Sequence, residues 1–438
     1  MSEAKILTLS EVSDIKISNV DKKSTAGERE VILCNYMDVY SNDYITHKLD
    51  FMEATATEVE VEKFKVEEGD VLITKDSETP YEIGIPSVVV DKIKGLVCAY
   101  HLALIKPDQS RVDSIFLSKQ LAQPETTRYF SRFATGSTRY GLSNKAIANT
   151  TVRLPSLGAQ KKIARILQTI DRAIEKTESL IDKYQQIKVG LMHDLFTRGI
   201  GPDGQLRPPR EQAPELYKET PIGWIPKEWD VKPLQKGLSA SPKNGFSPKE
   251  VESWQGLYVL GLSCLTKFGF KPIQLKNAPK NAISSDTLLA NGDFLISRSN
   301  TSDLVGLCGI YQDVGSPAIY PDLMVRLRLN VDLEPNFLEK YLQTPFARKR
   351  ISAIAVGTSG SMVKINGRDI KDFLVLFPAI DEQKFITAKL KPLEDQISTL
   401  ENQCAKLQKQ KSGLMHDLLT GKVPLQVEPE SETEAAHV

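Results

Sequence analysis

Hydrophobic positions along this chain follow two rhythms, and each rhythm occurs twice. In two stretches of about 150 residues, short apolar runs such as "DVLIT", "SVVV", "FLIS" and "LMVRLRL" alternate with turns rich in Gly, Asn, Asp and Pro. That pattern predicts short strands with an occasional helix between them. After Pro155 and again after Pro378, apolar residues recur three and four apart with no glycine-rich break, which predicts helix. The first helical stripe is Ile170, Ala173, Thr177, Leu180, Tyr184, Ile187 and Leu191. In the second, Leu393, Leu400, Leu407 and Leu414 recur every seven residues, widened by Ile397, Cys404 and Leu418. Such narrow seams bury themselves against another helix; the alternative is packing on the core of their own domain. The pattern predicts a short helix followed by a long one in each copy, the long ones over about Ile170–Arg198 and Leu393–Thr420. Pro392 is expected to open the second long helix at its first turn, where a missing N–H costs little.

The two rhythms repeat because the sequence repeats. A shift of 223 aligns Val152–Ile200 with Val375–Val423 without a gap, and 18 of the 49 pairs are identical. "GLMHDLFTRGI" (Gly190–Ile200) falls on "GLMHDLLTGKV" (Gly413–Val423), and "EGDVLITKD" (Glu68–Asp76) on "NGDFLISRS" (Asn291–Ser299). Between these, a shift of 221 sets "FLSKQLAQP" (Phe116–Pro124) on "FLEKYLQTP" (Phe337–Pro345), and Gly136 on Gly357. A tandem duplication of this kind implies an α+β fold: two pseudo-repeated mixed α/β domains separated by two long, coiled-coil-like helices whose seams can bury each other. The expected boundaries are 1–151 for the first variable domain, 152–200 for the first helical region and 201–217 for a Gly/Pro-dense linker. The second copy follows with 218–374 and 375–423, and 424–438 is an acidic tail expected to be disordered.

Composition narrows the functional classes. Of 438 residues 41% are hydrophobic and 26% charged, as in an ordinary globular protein. No apolar run reaches membrane-spanning length, and the N-terminus lacks a signal-peptide pattern. Five scattered cysteines, none in a CxxC pair, favour reduced thiols and a cytoplasmic location over a zinc site. The formal net charge is zero, so any nucleic-acid surface has to be local, with acidic surface elsewhere.

A search for catalytic motifs finds no phosphate loop, no GxGxxG opening a helix and no amino-methyltransferase tetrapeptide. His193-Asp194 and His416-Asp417 resemble a metal-binding pair, but neither repeat supplies the further ligands; the expectation is that they cap or pack the helix ends. Pro321-Asp322 is not followed by the acid and lysine of a nuclease site. The chain reads as a binding protein, not an enzyme, with no metal or cofactor of its own.

The duplicated order of variable α/β domain, Pro-x-x-x-x-Gln and long helix resembles the specificity subunit of Type I restriction–modification enzymes. The residues behind the match are "LPSLGAQKKIARILQTIDRAI" and "FPAIDEQKFITAKLKPLEDQI", each just after a "GST" or "GTS" loop, the two "LMHDL" helix ends, and "YKETPIGWIPKEWDVKPL" (Tyr217–Leu234). It covers all but the acidic tail. "GAQ" (Gly158–Gln160) departs from the acidic residue the family usually has before Gln, and the first domain lacks the "GWIP" opening. The resemblance implies a non-catalytic subunit whose two domains each read one half of a bipartite, asymmetric site on double-stranded DNA. The helices would pair antiparallel, act as a ruler between the halves and dock two modification (methyltransferase) subunits. S-adenosylmethionine would sit on those subunits, and ATP and Mg on restriction/translocase subunits. A helix of about 28 residues spans about 42 Å, roughly twelve base pairs. The alternative is a two-domain coiled-coil adaptor with no nucleic acid.

Candidate DNA contacts come from donor-rich segments at matching places in both copies. "GSTRYGLSNK" (Gly136–Lys145) offers Arg139, Tyr140 and Lys145, and "GTSGSMVKINGR" (Gly357–Arg368) offers Lys364 and Arg368. Arg128, Arg132, Arg348, Lys349 and Arg350 lie just upstream on presumed helices, and Arg298 and Asn300 lie in "ISRSNTSD". These side chains suit phosphate or base-edge contact; the alternative is a solvated charged face.

Overall fold

The structure, a computed structural model, describes residues 4–284, 286–357, 362–423 and 425. Each repeat begins and ends on one antiparallel ladder. Lys5–Thr8 pairs with Thr151–Leu154, and Asp230–Pro233 pairs with Leu374–Phe377. These strands carry the chain across the expected boundaries at 151 and 374 and lead straight into the helices. The chain falls into two units, Met1–Glu178 with Asn402–Val438, and Ser179–Glu401. Both long helices are therefore shared between the units rather than forming separate helical regions. Of the expected tail, only Leu425 is described; it is half-buried against the first unit's core.

In the first unit a five-stranded sheet runs in the order Ser13–Ile17, Leu102–Pro107, Val71–Thr74, Pro86–Val89, Tyr44–Ile45. Its central strand separates two cores: Val71 and Ile73 pack with Phe116 and Phe130, while Leu72 packs with Leu33 and Phe64. That is the two-residue alternation of a strand buried on both faces. The second unit repeats the device with Phe294–Ser297 in a four-stranded sheet; Phe294 and Ile296 face one core and Leu295 another. Beside each sheet lie two helices, Ser114–Leu121 and Pro124–Phe133 in the first unit, Pro335–Gln343 and Pro345–Ile354 in the second.

The long helices differ from expectation in one respect. They are continuous over Leu157–Thr197 and Ile380–Leu419, and Pro392 lies inside the second instead of opening it. Pro392 is exposed, so the carbonyl it leaves without a helical N–H can meet water, while buried Leu390, Ile397 and Leu400 hold the helix on both sides. The glutamine of each Pro-x-x-x-x-Gln motif locks the helix start. Gln160 Oε1 accepts from the Asp113 N–H (3.0 Å) and its Nε2 donates to the Arg111 and Pro155 carbonyls. Gln383 makes the same three bonds to Glu334, Asp332 and Pro378. In the second copy the preceding acid, Glu382, takes a bidentate pair from Arg207 (2.5 and 3.2 Å). The expected linker is thereby pinned; the matching position in the first copy is the buried Ala159.

The seam also departs from the sequence reading. Ile170 and Leu400 are buried, and Tyr184, Leu191, Leu393, Leu407 and Leu414 are half-buried. Leu180 and Ile187 are 43% and 46% exposed and lie outside it. The stripe runs instead through Thr177, Ile181, Tyr184, Lys188 and Leu191, taking its four-residue step after Thr177. Lys188 occupies an inward position because an acid meets it there.

That acid belongs to a triad built twice. In the first unit Lys119 and Lys411 both pair with Asp171, at 2.8 and 2.6 Å. In the second, Lys340 and Lys188 both pair with Glu394, at 2.8 and 2.6 Å. Each triad joins a domain helix, the long helix of its own repeat, and the long helix of the other repeat. Facing positions are 171 with 411 and 188 with 394, and Glu178 reaches Cys404 at 3.7 Å. The two numbers of each facing pair add to 582, so the helix pairing within each unit has the same antiparallel register. The helix C-terminal ends follow it: Phe196 stacks near Phe337 (5.2 Å) in the second unit, and in the first the Leu419 carbonyl accepts from Gln120 Nε2 at 2.8 Å.

Breaking a buried ion pair by removing one partner typically costs about 3–5 kcal/mol. Asp171→Ala and Glu394→Ala are each expected to show losses of that order in urea unfolding of the full chain, whereas Lys183→Ala, on the exposed face, stays within about 0.5 kcal/mol. Equal midpoints for all three would remove the triads from the account. The pH dependence has a definite sign. Burial pushes the Glu394 carboxyl up, but Lys340 and Lys188 pull it further down, so it lies below its ordinary 4.5. A depressed carboxylate stabilises the fold above its unfolded pKa and loses that contribution as pH falls through the folded value. Stability is expected to fall below about pH 4.5, and Glu394→Gln should flatten that decline.

Candidate nucleic-acid interface

Segments far apart in the sequence meet at matching places in the two units. In the first, Asp76–Ser77 pairs antiparallel with Tyr140–Gly141; in the second, Ser299–Asn300 pairs with Val363–Lys364. Each ribbon closes a loop. Thr135 and Gly141 exchange backbone hydrogen bonds of 3.0 and 2.9 Å, and Val356 and Lys364 exchange two of 2.9 Å. The first closure spans 141 − 135 = 6 positions and the second 364 − 356 = 8. The change of repeat offset from 221 to 223 therefore falls inside this loop. A surface loop can take up such a length change while the elements it joins stay matched. A glycine makes the tight turn possible in both: a Cβ on Gly136 (φ 142°) would lie 2.0 Å from the Arg139 carbonyl oxygen, and one on Gly357 2.8 Å from that of Met362.

The structure sorts the candidate cations. In the first unit Arg132, Arg139 and Lys145 are exposed and have no acidic partner among the described residues. Arg128 is exposed but paired with Glu125 at 2.8 Å. Tyr140 is half-buried in the ribbon. In the second unit Lys349 and Lys364 are exposed without an acidic partner, and Arg368, 89% exposed, pairs with Asp372 at 3.5 Å. Arg298 and Asn300 are half-buried on the ribbon strand, where the Arg298 carbonyl accepts from Ile365 N–H (2.8 Å). Thr358, Ser359, Gly360 and Ser361 of the expected second loop lie outside the described residues.

Two of the expected contacts serve the fold instead. Arg348 turns back to donate to the Asp303 and Val305 carbonyls (3.1 and 2.6 Å), and burial pulls its pKa below the ordinary value. Arg350 donates to Tyr341 Oη and the Leu374 carbonyl, with its guanidinium 4.5 Å from the Phe373 ring centre. Within the run "RKR", Lys349 is the exposed member.

Sequence reasoning missed one constellation on the first ribbon. Asp76 meets His101 Nδ1 at 2.5 Å and Lys75 Nζ at 2.9 Å. Burial pushes the Asp76 carboxyl up, but these two partners carry it below the ordinary value. No motif announces this cluster, since His101 lies 25 residues from Asp76 on another strand's approach. The repeated His-Asp pairs lie elsewhere. His193 and His416 are exposed, while Asp194 pairs with Arg198 (3.5 Å) and Asp417 with Lys422 (3.9 Å) at the helix ends. Among the described residues no group of three His, Cys, Asp or Glu is placed to hold a metal ion, and no helix is long and apolar enough to cross a membrane. Asp322 is hydrogen-bonded by Ser247.

Comparison with known proteins places this arrangement. Residues 1–183 match the Type I restriction modification DNA specificity domain. The chain is 24% identical over 371 residues to the Type I restriction enzyme MjaVIII specificity subunit of Methanocaldococcus jannaschii, covering 82% of this chain and 80% of that one. It is 26% identical over 257 residues to the EcoKI specificity subunit of Escherichia coli K12, 58% of this chain and 52% of that one. In fold it is similar to the crystal structure of a Type I restriction–modification S subunit from M. genitalium, with a TM-score of 0.56, 13% identity and 97% of both chains covered.

The sorting of arginines is open to measurement. Arg348→Ala and Arg350→Ala each remove donors from buried carbonyls and are expected to lower stability by about 1–3 kcal/mol. Arg132→Ala and Arg139→Ala should stay within about 0.5 kcal/mol. The reverse ranking in urea titrations would show the inward-facing arginines to be misassigned.

Proposed function

We propose that this chain, which belongs to the specificity-subunit family of Type I restriction–modification systems, reads a bipartite, asymmetric DNA site with one α/β domain per half. The observation that carries the reading is the repeated ribbon with its glycine-closed loop, matched in frame and different in length by two residues. The loops and the helices beside them offer Arg132, Arg139, Lys145, Lys349 and Lys364 without acidic partners among the described residues. That is what phosphate contact requires in a protein whose net charge is zero. Base reading falls to the ribbon and loop side chains, which differ between the copies as an asymmetric site demands.

In this reading the long helices supply the spacing and a platform for two modification subunits. Their reciprocal pairing is the self-complementary pattern of a twofold interface, and it suits two copies of one partner. Methyl transfer from S-adenosylmethionine, and ATP- and Mg-dependent cleavage where restriction subunits join, take place on those partners.

Salt titration of binding separates the roles. Lys364→Ala is expected to weaken binding to all sequences alike and to reduce the slope of log K against log salt by about 0.9, one phosphate contact. An unchanged slope would take Lys364 off the duplex. The spacing is tested by inserting one heptad after Thr177 and one after Leu400. This keeps the seam and lengthens each helix by about 10 Å. Affinity for the native site should fall steeply and recover in part on a site whose spacer is about three base pairs longer, at about 3.4 Å per pair. Unchanged preference for the native spacer, with the insert confirmed as helix, would remove the ruler.

A further inference from the structure

Where the second unit has Arg298, Ser299 and Leu323, the first has Lys75, Asp76 and His101. The backbone marks the equivalence: the Lys75 N–H donates to the His101 carbonyl (2.8 Å) as the Arg298 N–H does to that of Leu323 (2.9 Å). A neutral pair in one domain is thus a carboxylate–imidazole pair in the other. Gly141, opposite Asp76 in the ribbon, leaves room for it; a Cβ there would lie 3.0 Å from Asp76 Oδ1.

His101 holds this position at a cost. Among the described residues it is the one non-glycine residue with positive φ, 72°, a strained conformation that clusters at functional sites. The fold does not require it, since Leu323 makes the same backbone bond from ordinary φ. The ring lies 3.8 Å from that of Tyr100, with Nδ1 turned to Asp76. Among the described residues Nε2 has no hydrogen-bond partner, it is not one of the fully buried unpartnered atoms, and the side chain is 18% exposed.

We propose that His101 is a specificity-determining residue of the first half-site, an inference that rests on the DNA-reading assignment above. Asp76 is its positioning residue. In the neutral tautomer whose Nδ1–H donates to the Asp76 carboxylate, Nε2 carries a lone pair, and the major-groove groups that donate to a lone pair are the exocyclic amino groups of adenine and cytosine. Lys75, held by the same carboxylate, is drawn away from phosphate. The second domain, with Arg298 in its place and no carboxylate paired with it among the described residues, reads its half by other means.

The experiment is selection of a randomised duplex library by the full chain with its modification subunit. Wild type is compared with His101→Phe, which keeps a ring without Nε2, and His101→Gly, which removes the side chain and relieves the backbone. Both variants are expected to yield the wild-type motif with one position of the first half relaxed about tenfold and the second half unchanged. Thermal melts should show His101→Gly at least as stable as wild type, which a merely structural histidine would not. Variants that select the unaltered motif would overturn the role of His101 while leaving DNA reading intact. A wild-type complex that selects no motif would remove both.

Discussion

Two half-buried carboxylates, Asp171 and Glu394, set how the chain is put together. Each is held by a lysine of its own domain and a lysine of the opposite long helix. The pattern specifies orientation as well as contact. A parallel, in-register pairing of the repeats would set Asp171 against Glu394 and Lys188 against Lys411, like charge on like charge. The antiparallel pairing sets each acid against a lysine, which is how charged positions at a helix seam select partner and direction. Apolar seam residues alone, spaced alike in both helices, would not distinguish the two.

Everything that positions the candidate interface hangs from that pairing. Lys119 and Lys340 sit on the domain helices Ser114–Leu121 and Pro335–Gln343, so the acids couple each domain to the helix pair. Gln160 and Gln383 fix the start of each long helix to the loop before the same domain helix, using both amide donors and the carbonyl oxygen. Glu382 then captures Arg207 and holds the segment that joins the repeats. The ribbons and their loops project from matching frames in the two units, which leaves loop length and side-chain identity free to differ.

Much of this was legible in the sequence, and the failures have physical causes. The duplication, the helix pair and the Pro-x-x-x-x-Gln starts follow from periodicity and self-alignment. Leu180 and Ile187 were misplaced because a seam read from hydrophobicity steps over Lys188, whose inward position depends on an acid 206 positions away. Pro392 was read as a helix start because local propensity disfavours it inside a helix, yet an exposed site with buried neighbours on both sides tolerates it. Arg348 and Arg350 were grouped with Lys349 by charge, although only the fold shows which way each turns. The ribbon that unites residues 76–77 with 140–141, and with it the Asp76–His101 pair, is a long-range contact that no local pattern encodes.

The register itself can be trapped chemically. Glu178 faces Cys404, so Glu178→Cys in the full chain should form a disulfide with Cys404 under mild oxidation, identified by mapping the joined peptides. The geometry predicts that link in high yield. It also predicts little linkage when Cys404 is replaced by Ala and a cysteine is set one heptad away, at Ile397 or Lys411. Efficient linkage at either shifted position, or none at Cys404, would contradict the single antiparallel register on which the account rests.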